Sequence, residues 1–367
     1  MSCASLTRQA STQSITSTSS MVGMRKISFS LSEERPFLDL AIPDVPEDGV
    51  RIRVCYAGLC YVPGLNAAPF RKGSSGFRNG NVFDGFEVSG VIESMGSQVI
   101  SHDLAVGDPV TVFPDEEITQ QGYADFLIVR KLNNIVKLPA SISLAVGALL
   151  PTGGTLAMSA VIHSQKQLER LVSVNGHCNI LIFGAGSLTH WLVRLLRYSS
   201  SRIKDKIHII VASDDWEGLK IAQQLGAEEV VLLDERKHEE RLIEKLQAIL
   251  AKTIEMAVCL THEERSQKRA ARCLSQNGVL VIPEFSMAAE SEMVTEKNLE
   301  VVEVPRGDVG ILRTLVRIID QGESLQANQP AYKVYPMESA EKIYGEVELD
   351  EIKERPILDF EALENVF

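Results

Sequence analysis

Residues 179–190 read Asn-Ile-Leu-Ile-Phe-Gly-Ala-Gly-Ser-Leu-Thr-His, and this stretch constrains the fold more tightly than any other. A short apolar run meets a Gly-x-Gly turn at Gly184 and Gly186, and an amphipathic helix follows. Glycines at such a turn let the backbone approach a pyrophosphate. The helix start adds unpaired N–H donors and the positive end of a dipole. The order strand, turn, helix predicts a dinucleotide-binding domain in the middle of the chain, with Gly184, Gly186, Ser187 and Leu188 at the phosphates. Thr189 replaces the third glycine of the fingerprint, and a β-branched residue there should push the helix outward or force a local adjustment.

A chain of 367 residues accommodates about two domains, on a prior of roughly 150 residues each. A net charge of −12 and a pI near 5.2 argue against nucleic acid or an anionic membrane as main partner, since both reward clustered Lys and Arg. The cysteines Cys3, Cys55, Cys60, Cys178, Cys259 and Cys273 form no Cys-x-x-Cys pair. That spacing fits reduced thiols in an intracellular protein, not a disulfide frame or a zinc ribbon. Leu138–Ile162 carries no charge, but Pro139, Pro151, Gly153 and Gly154 make it a buried helix–loop–helix and not a membrane span. Residues 1–23 are rich in Ser and Thr and hold no acid. They read as a disordered tail or, alternatively, as a mitochondrial transit peptide, so the expected compartment is the cytoplasm, with the mitochondrion as the alternative.

From Met24 to residue 137 the pattern is short strands and turns: Val50–Tyr56, Gly85–Glu93, Asp108–Phe113 and Tyr123–Arg130. A β-rich, partly closed barrel is expected. From about residue 165 strands and helices alternate. Strands fall at Ile180–Phe183, Ile207–Ala212, Glu229–Leu233, Ile254–Leu260, Val279–Pro283 and Leu299–Val304. Leu188, Trp191, Leu192, Leu195 and Leu196 share one helix face; Leu242, Ile243, Leu246, Ile249 and Leu250 share a second, and Leu312, Leu315, Val316 and Ile319 a third. This rhythm predicts a doubly wound parallel sheet. Beyond Gly322, Ala331–Tyr335, a helix near Glu338–Tyr344 and Pro356–Phe360 rejoin the first half. The expected domains are 24–150 plus 323–367, and 151–322.

Gly85-Phe-Glu-Val-Ser-Gly-Val-Ile-Glu-Ser-Met-Gly96, Val106-Gly-Asp-Pro-Val110, Gly122-Tyr-Ala-Asp-Phe126, Phe183-Gly-Ala-Gly186 and Leu225-Gly-Ala-Glu228 occur in that order. Over residues 24–360 the chain thereby resembles the medium-chain dehydrogenase/reductase superfamily. The resemblance implies an α/β chain, with a GroES-like barrel domain for substrate beside a Rossmann domain for NAD(P)H. In the zinc alcohol dehydrogenase branch a Cys, a His and a second Cys hold the catalytic metal. Cys60, Phe86 and Pro151 stand at those positions. One thiolate does not make a site that needs three protein ligands, and the neighbouring Glu87 does not rescue it. Val62 replaces the hydroxyl that relays the alcohol proton, and Phe113–Gly122 lacks the four cysteines of the structural zinc lobe. The implied protein is zinc-free, like quinone and enoyl reductases, whose substrates are already electrophilic. Those enzymes often carry Asn at the position of Cys60, so the match to them is incomplete.

The choice between NAD and NADP stays open, and so does binding of neither. Ser213 stands where NAD enzymes place an acid on the ribose, and a serine tolerates a 2′-phosphate. Gly218 stands where NADP-dependent relatives often carry Lys or Arg, and Asp214 and Asp215 repel a phosphate. Asp214 reaches the ribose if the strand ends one residue later.

The substrate pocket is expected between the domains, near Cys60, Tyr61, Phe86 and Thr152, and suits a small apolar substrate. Cys60 is either a vestigial ligand or a core thiol. Tyr61 is either a proton donor to a developing enolate or a packing aromatic. Thr152 either bonds a substrate carbonyl or caps the following helix. Glu87, if buried, requires an Arg neighbour. His190 either meets a phosphate or sits on the surface. A homodimer through the edge strand Leu299–Val304 is implied by the resemblance. Two functions follow. One is a zinc-independent oxidoreductase acting on a quinone, enone or carbonyl compound. The other is a catalytically silent relative kept as a binding or scaffold module, with four losses behind it: the His ligand, the second Cys ligand, the relay hydroxyl and the third glycine.

Overall fold

Strands β1 (Gly23–Ile27) and β2 (Phe37–Ala41) pair as an antiparallel ribbon. In β3 (Val50–Gly58) the apolar Val50, Ile52 and Val54 alternate with Arg51 and Arg53 and are buried, the period of two that a sheet with one covered face requires. It becomes the spine of an antiparallel sheet with β4 (Glu87–Met95), β5 (Pro109–Val112), β6 (Phe126–Val129) and β7 (Ile135–Lys137). The computed structural model describes residues 23–27, 37–59, 87–100, 103–114, 122–234, 240, 243–244, 248, 253–261, 264–284, 286, 292–323, 325, 331–348 and 354–361. Cys60, Tyr61, Val62 and Phe86 lie outside them, as do residues 1–22 and Leu242, Leu246, Ile249 and Leu250 of the expected charged helix.

The uncharged stretch after β7 is irregular over residues 138–143 and helical from Leu144, interrupted by a turn at residues 148–149. Helix α1 (Leu144–Gly147) leads through a π-helical turn at Leu150–Gly154 directly into α2 (Thr155–Asn175). Pro151 sits at the start of that turn, where its missing N–H costs no bond. Helix α2 stops at Gly176, whose φ of 79° is a left-handed cap.

The second unit runs β8 (Cys178–Phe183), α3 (Ser187–Ser199), β9 (Ile207–Ser213), α4 (Trp216–Gln224), β10 (Glu229–Leu232), β11 (Met256–Val258), α5 (Glu264–Cys273), β12 (Val279–Pro283), α6 (Glu292–Glu296), β13 (Glu300–Val304) and α7 (Val309–Gln321). The strands form one parallel sheet in the order β10-β9-β8-β11-β12-β13. Its first strand, β8, is central and buried at every position, as a strand covered on both faces must be. The order reverses between β8 and β11, and ligands bind such sheets at the carboxyl ends beside that switch point. Helix α7 buries the predicted Leu312, Leu315, Val316 and Ile319. Helix α3 differs from its single predicted face, because Thr189, His190, Val193 and Arg194 are buried as well.

The chain then returns to the first sheet. Strand β14 (Tyr332–Pro336) and, after α8 (Ala340–Glu348), strand β15 (Arg355–Asp359) lie parallel to each other, and β15 pairs antiparallel with Tyr56–Gly58 of β3. Among the described residues no helix is long and apolar enough to cross a membrane.

Candidate functional site

The glycine turn keeps the geometry its sequence predicts. Gly184 has φ 95°, a left-handed conformation that disfavours a side chain, and its N–H is held by the Ala212 carbonyl at 2.9 Å. Gly186 is the N-cap of α3, with no side-chain cap bond, and a Cβ placed on it meets nothing within 4 Å. The approach to the helix start is therefore open. The first-turn N–H groups of Ser187 and Leu188 have no intrahelical acceptor, and no acid occupies that turn. Thr189 does not spoil the turn. It is buried at 6% exposure, and its Oγ1 lies 3.6 Å from where a Cβ on Gly184 would stand, so packing absorbs the branched side chain under the turn.

Strand β9 runs one residue further than its predicted end at Ala212, because Ser213 pairs with Leu232 of β10. Ser213 is buried; its hydroxyl accepts from the Asp215 N–H at 3.2 Å and donates toward Asp214. Asp215 caps α4 by accepting from the Glu217 N–H at 3.1 Å. Asp214 is the exposed acid just past the strand end.

Two residues beside the turn have roles that sequence reasoning missed. A Cβ on Gly218 would stand 2.3 Å from the Ala185 carbonyl oxygen and 2.9 Å from the Ala185 Cβ. The backbone of α4 rests on the turn, and this position admits no Lys or Arg. A glycine inside a helical pattern is the one signal that marked it. His190 is neither on the surface nor free for a phosphate. It is 4% exposed, and its Nε2 donates to the Gly218 carbonyl at 3.0 Å. Burial pushes its pKa down, which keeps the ring neutral.

A second group of residues sits where the first sheet meets the π turn. Register across the first sheet aligns Ile357 with Gly58 and Gly58 with Glu87, which brings Arg355 beside the acid. Glu87 is 1% exposed. Arg355 Nη2 donates to its Oε2 at 2.5 Å, the Arg neighbour that a buried carboxylate requires, and the Thr152 hydroxyl donates to Oε1. The carboxylate lies over Gly58, where a Cβ would stand 2.2 Å from Oε2. The Tyr123 hydroxyl donates to the Gly58 carbonyl at 2.9 Å. Thr152 does not cap α2, whose N-terminus has no side-chain cap bond. With its proton committed to Glu87, it offers a ligand lone pairs only. Helix α3 packs against the π turn that carries Thr152, linking the two groups. Cys60, Tyr61 and Phe86 lie outside the described residues. Among the described residues no three His, Cys, Asp or Glu side chains are placed to hold a metal ion.

No known protein family matches the chain, and no curated protein matches it. Solved structures do match its fold. An alcohol dehydrogenase from E. coli CFT073, complexed with NADH, has a TM-score of 0.70 and 17% identity, over 92% of this chain and 99% of that one. An alcohol dehydrogenase from Thermotoga maritima has a TM-score of 0.69 and 15% identity, over 92% and 99%. The D-arabinose dehydrogenase from Sulfolobus solfataricus has a TM-score of 0.65 and 19% identity, over 92% and 100%. The chain shares the fold of these dehydrogenases: a GroES-like, mostly antiparallel sheet and a Rossmann-type parallel sheet.

Proposed function

We propose that this protein is an oxidoreductase that binds a nicotinamide dinucleotide, NAD in preference to NADP, and reduces a small apolar quinone, enone or carbonyl compound without zinc. The observation that carries the reading is the open Gly184–Gly186 turn with Asp214 just past the neighbouring strand end. Two structures of the same fold, solved with NADH and with NAD, support the cofactor class.

The dinucleotide, when bound, supplies the hydride. Gly184 and Gly186 let the backbone close on the pyrophosphate, and the Ser187 and Leu188 N–H groups and the positive end of α3 meet its charge. Asp214 accepts from the ribose hydroxyls and repels a 2′-phosphate. Gly218 cannot be replaced by a compensating cation, because the Ala185 carbonyl fills the space. Arg355, Glu87 and Thr152 form a neutralised, water-poor wall at the junction, beside which an electrophilic substrate needs orientation more than acid catalysis. Pro151, at one of the family's zinc-ligand positions, has no side-chain donor for a metal, which supports zinc-independent chemistry.

The same wall supports a second reading, a silent binding or scaffold module, since both oxygens of Glu87 and the proton of Thr152 are already engaged. Titration of the purified full chain with NADH and NADPH, followed by nicotinamide fluorescence, separates the two. We expect saturable NADH binding at micromolar concentration and weaker NADPH binding. Binding of neither removes the oxidoreductase and leaves the module. Enone or quinone reduction that survives dialysis against a chelator supports zinc independence, and its loss refutes it. A homodimer through the β13 edge belongs to this proposal, and a light-scattering dilution series reporting a monomer at micromolar concentration removes it.

A further inference from the structure

Helix α3 carries a second polar group, remote from the glycine turn. Arg194 lies seven residues beyond Ser187, about 10 Å along the helix at ~1.5 Å per residue. Arg194 is 4% exposed and Trp191 is 0% exposed. The guanidinium carbon stacks 4.9 Å from the centre of the Trp191 ring. Arg194 Nη2 donates to the carbonyl of Leu325, in the segment that follows α7. Among the described residues, its Nε and Nη1 reach no acceptor, and neither does the Trp191 indole N–H.

Among the described residues no carboxylate pairs with this guanidinium, and burial alone draws its pKa down to about 10. It therefore stays charged at neutral pH. A buried, unpaired charge is costly, and the contact with Trp191 offsets only part of that cost. The chemistry of the unpaired atoms is uniform. Nε, Nη1 and the indole nitrogen are all N–H donors with no acceptor capacity. A set of donors around a fixed positive charge complements a ligand that only accepts and carries negative charge.

We propose that Arg194 and Trp191 form a binding site for a small oxyanion, phosphate or carboxylate, which bridges the nucleotide helix to the segment at Leu325. The site stands apart from the glycine turn and does not depend on the cofactor reading.

The chain has two tryptophans, and Trp216 is the exposed one at 48%. The variant W216F leaves Trp191 as the only indole reporter. This protein is titrated with inorganic phosphate and, separately, with acetate, with ionic strength held by sodium chloride in a Tris buffer. We expect a saturable change in Trp191 emission with at least one anion, together with a rise in Tm; the tighter of the two identifies the class. W216F/R194M removes the charge at similar volume and should bind at least tenfold more weakly. If that variant does not fold, W216F/R194K takes its place, since a point charge replaces the planar donor set and weaker binding is again expected. A W216F protein that responds to neither anion in emission or Tm overturns the proposal. So does a response that the Arg194 variants retain in full.

Discussion

Arg355 donates to Glu87 at 2.5 Å across 268 residues of sequence, so the last strand of the fold neutralises an acid of the fourth. Removing the cation leaves a carboxylate that is 1% exposed without its ion partner. Arg355→Met should cost about 3–5 kcal/mol, the usual range for breaking a buried ion pair, and Thr152→Val about 1–3 kcal/mol for one lost buried hydrogen bond. Urea unfolding followed by circular dichroism reads both. A change under 1 kcal/mol for Arg355→Met would mean that water already reaches Glu87.

Gly58→Ala places a methyl group 2.2 Å from Glu87 Oε2 and 2.9 Å from the Glu87 Cβ. Overpacking of this kind costs about 1–3 kcal/mol. The tightest contact is with the carboxylate, so Gly58→Ala should be milder in a Glu87→Ala background, which removes Oε2 and leaves only the 2.9 Å contact with the Cβ. A double-mutant cycle measures that coupling, and additive penalties would show that the clash lies elsewhere.

Asp214→Ser should weaken NADH binding about tenfold or more, from the ~1.5–3 kcal/mol of a hydrogen bond to a charged group, and should narrow the gap to NADPH. Gly218→Lys, the substitution that family resemblance recommends for NADP, should instead weaken both cofactors, because its Cβ drives into the Ala185 carbonyl. Fluorescence titration of the two variants tests the pair. A Gly218→Lys protein that gains NADPH affinity would contradict the packing described for the turn.

His190 gives a pH dependence of defined sign. Burial lowers its pKa in the folded protein from the ordinary value of 6.5. Above 6.5 the ring is neutral whether folded or unfolded and contributes no slope. As pH falls below 6.5 the unfolded chain takes up a proton that the folded chain refuses, and stability drops until the folded pKa is reached. Urea midpoints between pH 7.5 and pH 5 should fall less steeply in His190→Gln than in the parent. Equal slopes would place the titrating group elsewhere.

Much of this architecture is legible in the amino-acid order. The turn at Gly184 and Gly186, the strand–helix rhythm and the return of residues 355–359 to the first sheet all announce themselves through period and glycine placement. The need of Glu87 for a guanidinium is legible too, but its identity is not, because only the register Ile357–Gly58–Glu87 brings Arg355 to it. Helix α3 is the weakest point of sequence reasoning. A polar residue between leucines reads as solvent-facing, yet His190 and Arg194 are both buried. Helix α2, the π turn and α4 all pack against α3, and periodicity reports one covered face where several exist. Gly218 escapes for a related reason, since nothing local says that α4 rests on Ala185.

Strand β15 fills the part of β3 that β6 leaves open, pairing Tyr56–Gly58 while β6 pairs Val50–Arg53. A chain emerging from the ribosome makes β3 some 300 residues before its partner. Synthesis at about 5–20 residues per second spreads that interval over ~15–60 seconds. During it the parallel unit has all its strands available and can close first, while the first sheet waits with backbone donors and acceptors exposed at one margin. Nascent protein should therefore be most vulnerable to chaperone capture and to misassociation at Tyr56–Gly58, and a stop codon just before Arg355 should turn that passing state into a permanent one.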